Sequence, residues 1–310
     1  MKKLEYGKIL GKVSDVLPRR YPLVTDQQDF ISPLMIIGSG RNGSTMLGSM
    51  LNMHPDILLT PEQFAIVYSI HRFKLLNFLE WEDIVKIVVG EFARQDATLW
   101  DTNFANVYDK LYSLETDQRS LASILDHIYK EYGRSRGKEF KIWGDKTPKN
   151  TINLKLIQPI FPTAKYLFLI RDGRDVISSY DKAYAKNGKA PFHPVAGIEN
   201  WNLSIENYQW IKEQVPEENL QVVRYEDLVT QPELTLSKVT QFIGLDFHES
   251  MLQFQGEVNR MGVSRMSHHE NVAKEVNDSS VGKWKTRLTA QQQNDWFPQI
   301  NKNLEEWGYE

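Results

Sequence analysis

Short apolar runs alternate with longer stretches of helical periodicity along this chain. Leu34-Met35-Ile36-Ile37 is wholly apolar, as a strand buried on both faces reads. Glycines follow at positions 38, 40 and 43, and Met46, Leu47, Met50 and Leu51 then recur at helical spacing. That order predicts a strand, a glycine loop and a helix. Tyr166-Leu167-Phe168-Leu169-Ile170 and Leu220-Gln221-Val222-Val223 predict two further buried strands. Lys141-Ile142-Trp143 and Ile57-Leu58-Leu59 predict a third and a fourth. Helical patterns over 174–187, 199–214 and 233–243 punctuate the runs, and alternation of this kind argues for a parallel α/β sheet.

Residues 61–133 read as mostly helical, marked by Phe64, Ile66, Val67, Tyr68, Ile70 and Phe73, and later by Leu121, Ile124, Leu125 and Ile128. The aromatic residues dense in this stretch suit helix-packing core; the alternative is that some line an acceptor pocket. Residues 1–32 read as an irregular lead-in, broken by Pro18 and Pro22. The tail after Thr289 reads as a helix interrupted near Pro298. Nothing repeats and no linker divides the chain. The expectation is one α/β domain over 1–310, a P-loop-like three-layer fold. Its central parallel β-sheet is flanked by helices, with a helical insertion at 61–133 between the first strands.

Composition narrows the class. Of 310 residues, 41% are hydrophobic and 25% charged, which excludes a disordered or collagen-like chain. The 37 basic and 40 acidic residues give a net charge of −3, which does not read as a general nucleic-acid binder. Without cysteine, disulfides, thiolate chemistry and Cys-type zinc sites are excluded. No apolar run is long enough for a membrane span, and Met1 to Lys8 carry no signal-type apolar core, so a cytoplasmic protein is expected. The histidines show no metal-ligand spacing, and no metal is expected.

The chemistry concentrates in two places. Gly38-Ser39-Gly40-Arg41-Asn42-Gly43-Ser44-Thr45 has the glycine spacing of a Walker A loop, in which consecutive backbone N–H groups and a helix N-terminus face an anion. Ser44 and Thr45 add hydroxyl donors. The Walker lysine is missing: Ser44 stands in its place and Arg41 is the nearest cation, which argues against ordinary ATP or GTP chemistry. A glycine turn that binds nothing is the bland alternative. Second, Arg171 falls at the C-terminal edge of a predicted strand, where parallel sheets hold ligands. Ser179 follows eight residues later, about two helical turns into 174–187, and the two can converge on a phosphate. A salt-bridged helix start, Arg171 and Arg174 with Asp172 and Asp175, would explain the same residues without a ligand.

Together these elements resemble the sulfotransferases that use 3′-phosphoadenosine 5′-phosphosulfate (PAPS). The Arg-Asp-Gly-Arg form and the Arg-x-Gly-Ser-Thr loop are most similar to the tyrosylprotein-type and bacterial branch. Further segments match in order. Leu51-Asn52-Met53-His54-Pro55-Asp56 with Pro61-Glu62 resembles the segment ending in the catalytic acid, and Gly144-Asp145-Lys146-Thr147-Pro148 the lysine segment. Val223-Arg224-Tyr225-Glu226-Asp227-Leu228 resembles the strand-end motif, and Ser280-Val281-Gly282-Lys283-Trp284-Lys285 the cofactor-covering loop.

The resemblance implies sulfuryl transfer from PAPS to a hydroxyl or amine, leaving 3′-phosphoadenosine 5′-phosphate (PAP), without a metal. It implies Glu62 as base, with Lys146 and Arg41 as cations on the sulfonate and bridging oxygen. Residues Gly40 to Thr45 would hold the 5′-phosphosulfate, and Arg171 with Ser179 the 3′-phosphate. Tyr225, Ser280, Lys283, Trp284 and Lys285 are candidate cofactor contacts. Thr60 as a helix cap with Pro61 in the first turn would instead make Glu62 a dipole partner, and His54 is the rival base. A degenerate P-loop kinase or NTPase, or a non-catalytic nucleotide-binding protein, are the alternatives. The acceptor, whether peptide tyrosine, sugar or small alcohol, and the oligomeric state are not legible.

Overall fold

The structure, a computed structural model, describes residues 19–26, 30–94, 100–188, 193–255 and 278–309. Its frame is a five-stranded sheet of β1 (Leu34–Ile37), β2 (Ile57–Leu59), β3 (Ile142–Asp145), β4 (Lys165–Ile170) and β5 (Leu220–Arg224). The strand order is β2-β3-β1-β4-β5 and every pairing is parallel. All five apolar runs are therefore strands, within a residue or two at their ends. β2 and β3 lie on one side of β1, and β4 and β5 on the other. The strand order thus reverses at β1, and the crevice at the C-terminal ends there is where such sheets bind ligands.

Helix α1 (Ser44–Asn52) follows β1 directly. Between β2 and β3 come α2 (Ala65–Leu76), α3 (Trp81–Ala93), α4 (Ala105–Tyr112) and α5 (Leu121–Ser135), so the insertion is helical. Two single turns, α6 (Pro148–Thr151) and α7 (Leu154–Ile157), lead into β4. Helices α8 (Gly173–Asn187) and α9 (Pro194–Gln214) connect β4 to β5. The chain continues through α10 (Tyr225–Thr230), α11 (Pro232–Phe242), α12 (Trp284–Arg287), α13 (Ala290–Trp296) and α14 (Asn301–Glu306), with a 3-10 turn at Pro298 interrupting the tail. Of the lead-in, residues 19–26 and 30–32 form no helix or strand, and 1–18 and 27–29 lie outside the described residues.

Strand alternation splits the core into two layers. Leu34 and Ile36 pack with Met46, Leu47 and Leu51 of α1 and with Leu228 and Leu236 of α10 and α11. Met35 and Ile37 face the helical insertion, α8 and α9. All four β1 side chains are at most 2% exposed, which is why the run carries no polar residue. Each large side chain so buried contributes about 1.5–3 kcal/mol relative to exposure. The insertion's aromatic residues divide as the two readings of them require. Phe73, Trp81, Phe92, Trp100 and Phe104 are buried, whereas Phe64, Tyr68 and Phe78 are exposed.

One local expectation fails. Thr60 does not cap a helix: Thr60–Gln63 is extended loop and α2 starts at Ala65. The Gln63 side-chain oxygen Oε1 accepts from the N–H groups of Ala65 and Ile66, the role the capping alternative gave to Thr60. Pro61 and Glu62 are thereby left in the connection rather than in a first turn.

Candidate active site

The phosphate loop is shaped by crowding as well as by glycine flexibility. Gly43 has φ 99° and is packed by the Tyr225 ring, whose Cε2 would lie 2.8 Å from any Cβ there. Gly40 is closed off by the Tyr180 hydroxyl, 2.5 Å from a hypothetical Cβ. Asn42 is 1% exposed and braces the loop: its Nδ2 donates to Leu169 O at 2.8 Å, and its Oδ1 accepts from Ser44 N at 3.2 Å. Thr151 Oγ1 accepts from Gly38 N at 2.9 Å and donates to Gly38 O at 3.0 Å. Gly43, the N-cap of α1, has no side chain to cap it, and Asn42 takes the first N–H of the helix, that of Ser44.

The lysine missing from the loop is supplied from another strand. Lys146 leaves the end of β3, and its Nζ lies 3.4 Å from Thr45 Oγ1 and 2.9 Å from Glu62 Oε1. Its side chain is 1% exposed, whereas that of Glu62 is 33% exposed. The carboxylate therefore reaches solvent while holding a buried ammonium. The helix-dipole account of Glu62 does not apply, because α2 begins three residues later. Both ring nitrogens of His54, the rival base, are engaged: Nδ1 accepts from Asp56 N at 3.0 Å and Nε2 lies 3.0 Å from Asp246 O.

A buried network that the sequence reading passed over fixes Glu62 and Lys146 together. Asp145, 1% exposed, accepts from Tyr129 Oη at 2.6 Å and Gln63 Nε2 at 2.9 Å on one oxygen. The other accepts from Thr147 N at 2.7 Å and Asn150 Nδ2 at 2.8 Å. Gln63 adjoins Glu62 in sequence and Asp145 adjoins Lys146, so one carboxylate ties the two chain segments that carry the pair. Burial raises the Asp145 carboxyl pKa, and the donors from Tyr129, Thr147 and Gln63 oppose that rise. The only sequence signal for this role was an acid beside the motif lysine.

The second anion element adjoins the first. Arg171 is 8% exposed; its Nη1 donates to Arg41 O at 3.2 Å, its Nη2 to Ser280 O at 2.5 Å, and its guanidinium lies 4.3 Å from the centre of the Tyr225 ring. Ser179 Oγ accepts from Arg41 Nε at 3.2 Å. Arg171 and Ser179 thus converge through Arg41, which contacts one by its backbone and the other by its side chain. Trp201 Nε1 donates to Arg171 O at 2.9 Å and fixes that residue's backbone. The ligand-free account is partly right: Asp172 pairs with Arg174 at 2.8 Å and caps α8, but Arg171 only approaches Asp175, at 3.9 Å.

Tyr225, 7% exposed, wedges between Gly43 and Arg171 and supports both anion elements. Of the C-terminal group, Ser280 reaches the site through its carbonyl. Trp284 is wedged between the Arg174 guanidinium, 4.5 Å from its ring centre, and the Phe297 ring at 5.2 Å. Lys285 is exposed and lies over the outer part of Trp284, 5.5 Å from its centre, and Lys283 is half-buried.

A buried donor tests whether these residues fit a phosphate. Arg171 Nε has no hydrogen-bond partner and lies out of water, and Ser178 Oγ is in the same condition. Leaving such a group unpaired costs about 1–3 kcal/mol, and an acceptor brought to it would remove that cost. An anion with several oxygens fits. Among the described residues, no group of three or more His, Cys, Asp or Glu could hold a metal ion. No described helix is long and apolar enough to cross a membrane.

A parallel sheet whose switch point carries a glycine loop, a strand-end lysine paired with a carboxylate, and a second buried arginine is an arrangement suited to a ligand with two anionic groups. The sulfotransferase family model matches residues 33–249, and the chain belongs to that family. Protein-tyrosine sulfotransferase A of Caenorhabditis elegans is 24% identical over 260 residues, covering 82% of this chain and 61% of its own length. The nodulation protein NoeE of Sinorhizobium fredii is 22% identical over 307 residues, covering 90% of this chain and 67% of its own. The chain thus spans about two thirds of the length of these relatives. Among solved structures, the sulfotransferase domain from the curacin biosynthetic pathway superposes with a TM-score of 0.62 at 21% identity, covering 91% of this chain and 99% of that one. The sulfotransferase domain of the Synechococcus PCC 7002 olefin synthase gives 0.61 at the same identity, over 92% and 98%.

Proposed function

We propose that the protein transfers the sulfuryl group of PAPS to a hydroxyl-bearing acceptor, with Glu62 as general base. The observation that carries this reading is the Glu62–Lys146 pair at the mouth of the phosphate loop, 2.9 Å long, with the glutamate side chain partly exposed and the lysine side chain buried. A binding scaffold needs no such pair, and a P-loop kinase would carry its lysine at position 44. PAPS supplies a sulfuryl group already activated by its bond to phosphate. The loop N–H groups of residues 40–45, with Ser44 and Thr45, hold the 5′-phosphosulfate end. Arg171 and Ser179, linked by Arg41, hold the 3′-phosphate.

Glu62 takes the acceptor hydroxyl proton as the acceptor oxygen bonds to sulfur and the bond from sulfur to the bridging oxygen breaks. Lys146 and Arg41 neutralise charge gathering on the departing phosphate, and PAP leaves with that electron pair. Tyr225 and Trp284 shape the nucleotide's surroundings, with Lys283 and Lys285 at the rim. The exposed Phe64 and Tyr68 rings, two and six residues beyond Glu62, border the acceptor side with the Lys149 ammonium 5.0 and 5.3 Å from their centres. The named activities of the tyrosine-directed relatives make a peptide tyrosine one acceptor to try, beside sugars and small alcohols.

Labelled PAPS incubated with a panel of these acceptor classes tests the reaction. Calorimetry tests the cofactor site: Arg171→Ala is expected to weaken PAP binding by roughly 1.5–3 kcal/mol, the scale of a charged hydrogen bond. Equal affinities would remove Arg171 from the site, and label transfer dependent on ATP and magnesium would restore the kinase reading.

A further inference from the structure

We infer that Asp175 is a positioning residue that latches the 280–284 turn onto the nucleotide site and so sets how long PAP stays bound. This inference rests on the proposed PAP site.

Asp175 lies in the first turn of α8, one turn beyond Arg171, and its side chain is wholly buried. Its two oxygens serve a segment more than a hundred residues away: Oδ2 accepts from Gly282 N at 2.7 Å and Oδ1 from Trp284 N at 3.0 Å. A first-turn acid that only complemented the helix dipole would sit in water and need neither contact. The turn it holds is shaped for the purpose. Val281 N donates to Asp278 O at 2.7 Å, and Gly282 takes φ 68°, which brings the N–H groups of residues 282 and 284 onto one carboxylate. The turn is gripped twice more, through the Ser280 carbonyl on Arg171 and through the Trp284 ring between Arg174 and Phe297.

Arg171 is therefore the junction. One of its nitrogens holds the phosphate loop at Arg41 O and another holds the turn at Ser280 O, while Nε has no hydrogen-bond partner among the described residues. With the turn held down by Asp175, the guanidinium is kept in one orientation and the path past it is covered. Once the turn is released, the Ser280 contact goes with it. Arg171 then keeps its charge but loses the orientation that aims Nε at the site. Burying the carboxylate is unfavourable, as the upward shift of its pKa by desolvation shows, and the two N–H donors with Arg171 nearby offset that cost.

Asp175→Asn keeps the shape but turns one acceptor oxygen into an amide that cannot accept. One of the two N–H groups loses its partner. Stopped-flow measurement of PAP release should show dissociation faster by roughly tenfold, with the PAP Kd and the KM for PAPS rising in parallel. A role in stability alone would lower Tm and leave the PAP off-rate within about twofold, and that result overturns the latch. Hydrogen exchange on the unsubstituted protein gives an independent reading if the variant fails to fold. The amides of Gly282 and Trp284 should be protected without ligand, and free exchange at both would refute the latch on its own. Failure of the unsubstituted protein to bind PAP, with those amides protected, would instead overturn the nucleotide site and the latch's function with it.

Discussion

Glu62→Gln separates proton acceptance from every other contribution of that side chain. The amide oxygen can still accept from Lys146 Nζ, now 2.9 Å from Glu62 Oε1, so the ammonium keeps a partner and its approach to Thr45 at 3.4 Å. Breaking a fully buried ion pair costs about 3–5 kcal/mol, but two features reduce that figure here. One third of the carboxylate is in water, and glutamine preserves the hydrogen bond. A stability loss of about 1 kcal/mol or less is expected. The catalytic loss is on another scale. A positioned base contributes 10²–10⁴-fold, roughly 3–5 kcal/mol of barrier, and glutamine cannot take the proton. Steady-state kinetics with the accepted acceptor should therefore show kcat down by about 10²-fold or more, while calorimetry finds PAP affinity within about threefold. A variant with near-normal kcat would refute the assignment outright. A fall in kcat accompanied by a comparable loss of PAP affinity would show that Glu62 acts by holding Lys146 rather than by accepting a proton.

Three further outcomes follow from the packing. Asp145→Asn places an amide where Tyr129, Gln63, Thr147 and Asn150 all donate. Each buried donor left unpaired costs about 1–3 kcal/mol, so a thermal melt should shift down by several degrees and kcat should fall with it; unchanged turnover would uncouple the network from Glu62. Gly43→Ala forces a Cβ into the Tyr225 ring at φ 99°, and calorimetry should show PAP binding weakened together with the melt, whereas normal binding would mean that the loop tolerates the shift. Glu226 accepts from Asp172 N at 3.0 Å and Tyr309 Oη at 3.2 Å, and burial raises its pKa. A raised carboxyl favours the folded state at low pH. That contribution is full below the ordinary range, near pH 4, and is lost as pH rises through the shifted value. Melts from about pH 4 to 6.5 should therefore decline less steeply for Glu226→Gln than for the unsubstituted protein, and equal slopes would assign the titration elsewhere.

The sheet was legible because its strands are buried on both faces. A run such as Leu34 to Ile37 admits no polar residue, and that constraint is visible without knowing any partner. The phosphate loop was legible because tight turns restrict residue type: Gly43 stands where φ is 99° and an aromatic ring presses in. The role of Asp145 was hidden because its four donors lie on three separated segments, and a carboxylate beside a lysine reads equally well as a surface pair. Asp175 was hidden for the same reason, since its partners lie 107 and 109 residues away and offer only backbone N–H groups, which leave no trace in side-chain identity. The alternative that started a helix at Thr60 drew on Thr60 and Pro61, which form a good local cap signal. The tertiary bond from Gln63 N to Thr147 Oγ1 at 3.1 Å, with the Gln63 side chain in Asp145, holds the segment extended instead.

The charge balance of the site favours the anionic ligand proposed for it. Arg41, Lys146 and Arg171 are brought to the ends of three neighbouring strands, Lys146 and Arg171 buried and Arg41 half-buried, which is unfavourable for like charges in a low-dielectric crevice. Carboxylates offset these charges: Glu62 lies 2.9 Å from Lys146 and also acts on Arg41, and Asp175 lies 3.9 Å from Arg171. For Arg41, desolvation is the leading cause that lowers its pKa, and the Arg171 charge acts in the same direction. A ligand carrying a sulfonate at one end and a phosphate at the other removes both penalties at once, because each anionic group meets a cation already desolvated and oriented. In the proposed reaction such binding would offset the cost of the ligand-free crevice, and Glu62, which meets Lys146 through Oε1, would take the acceptor proton on its other oxygen.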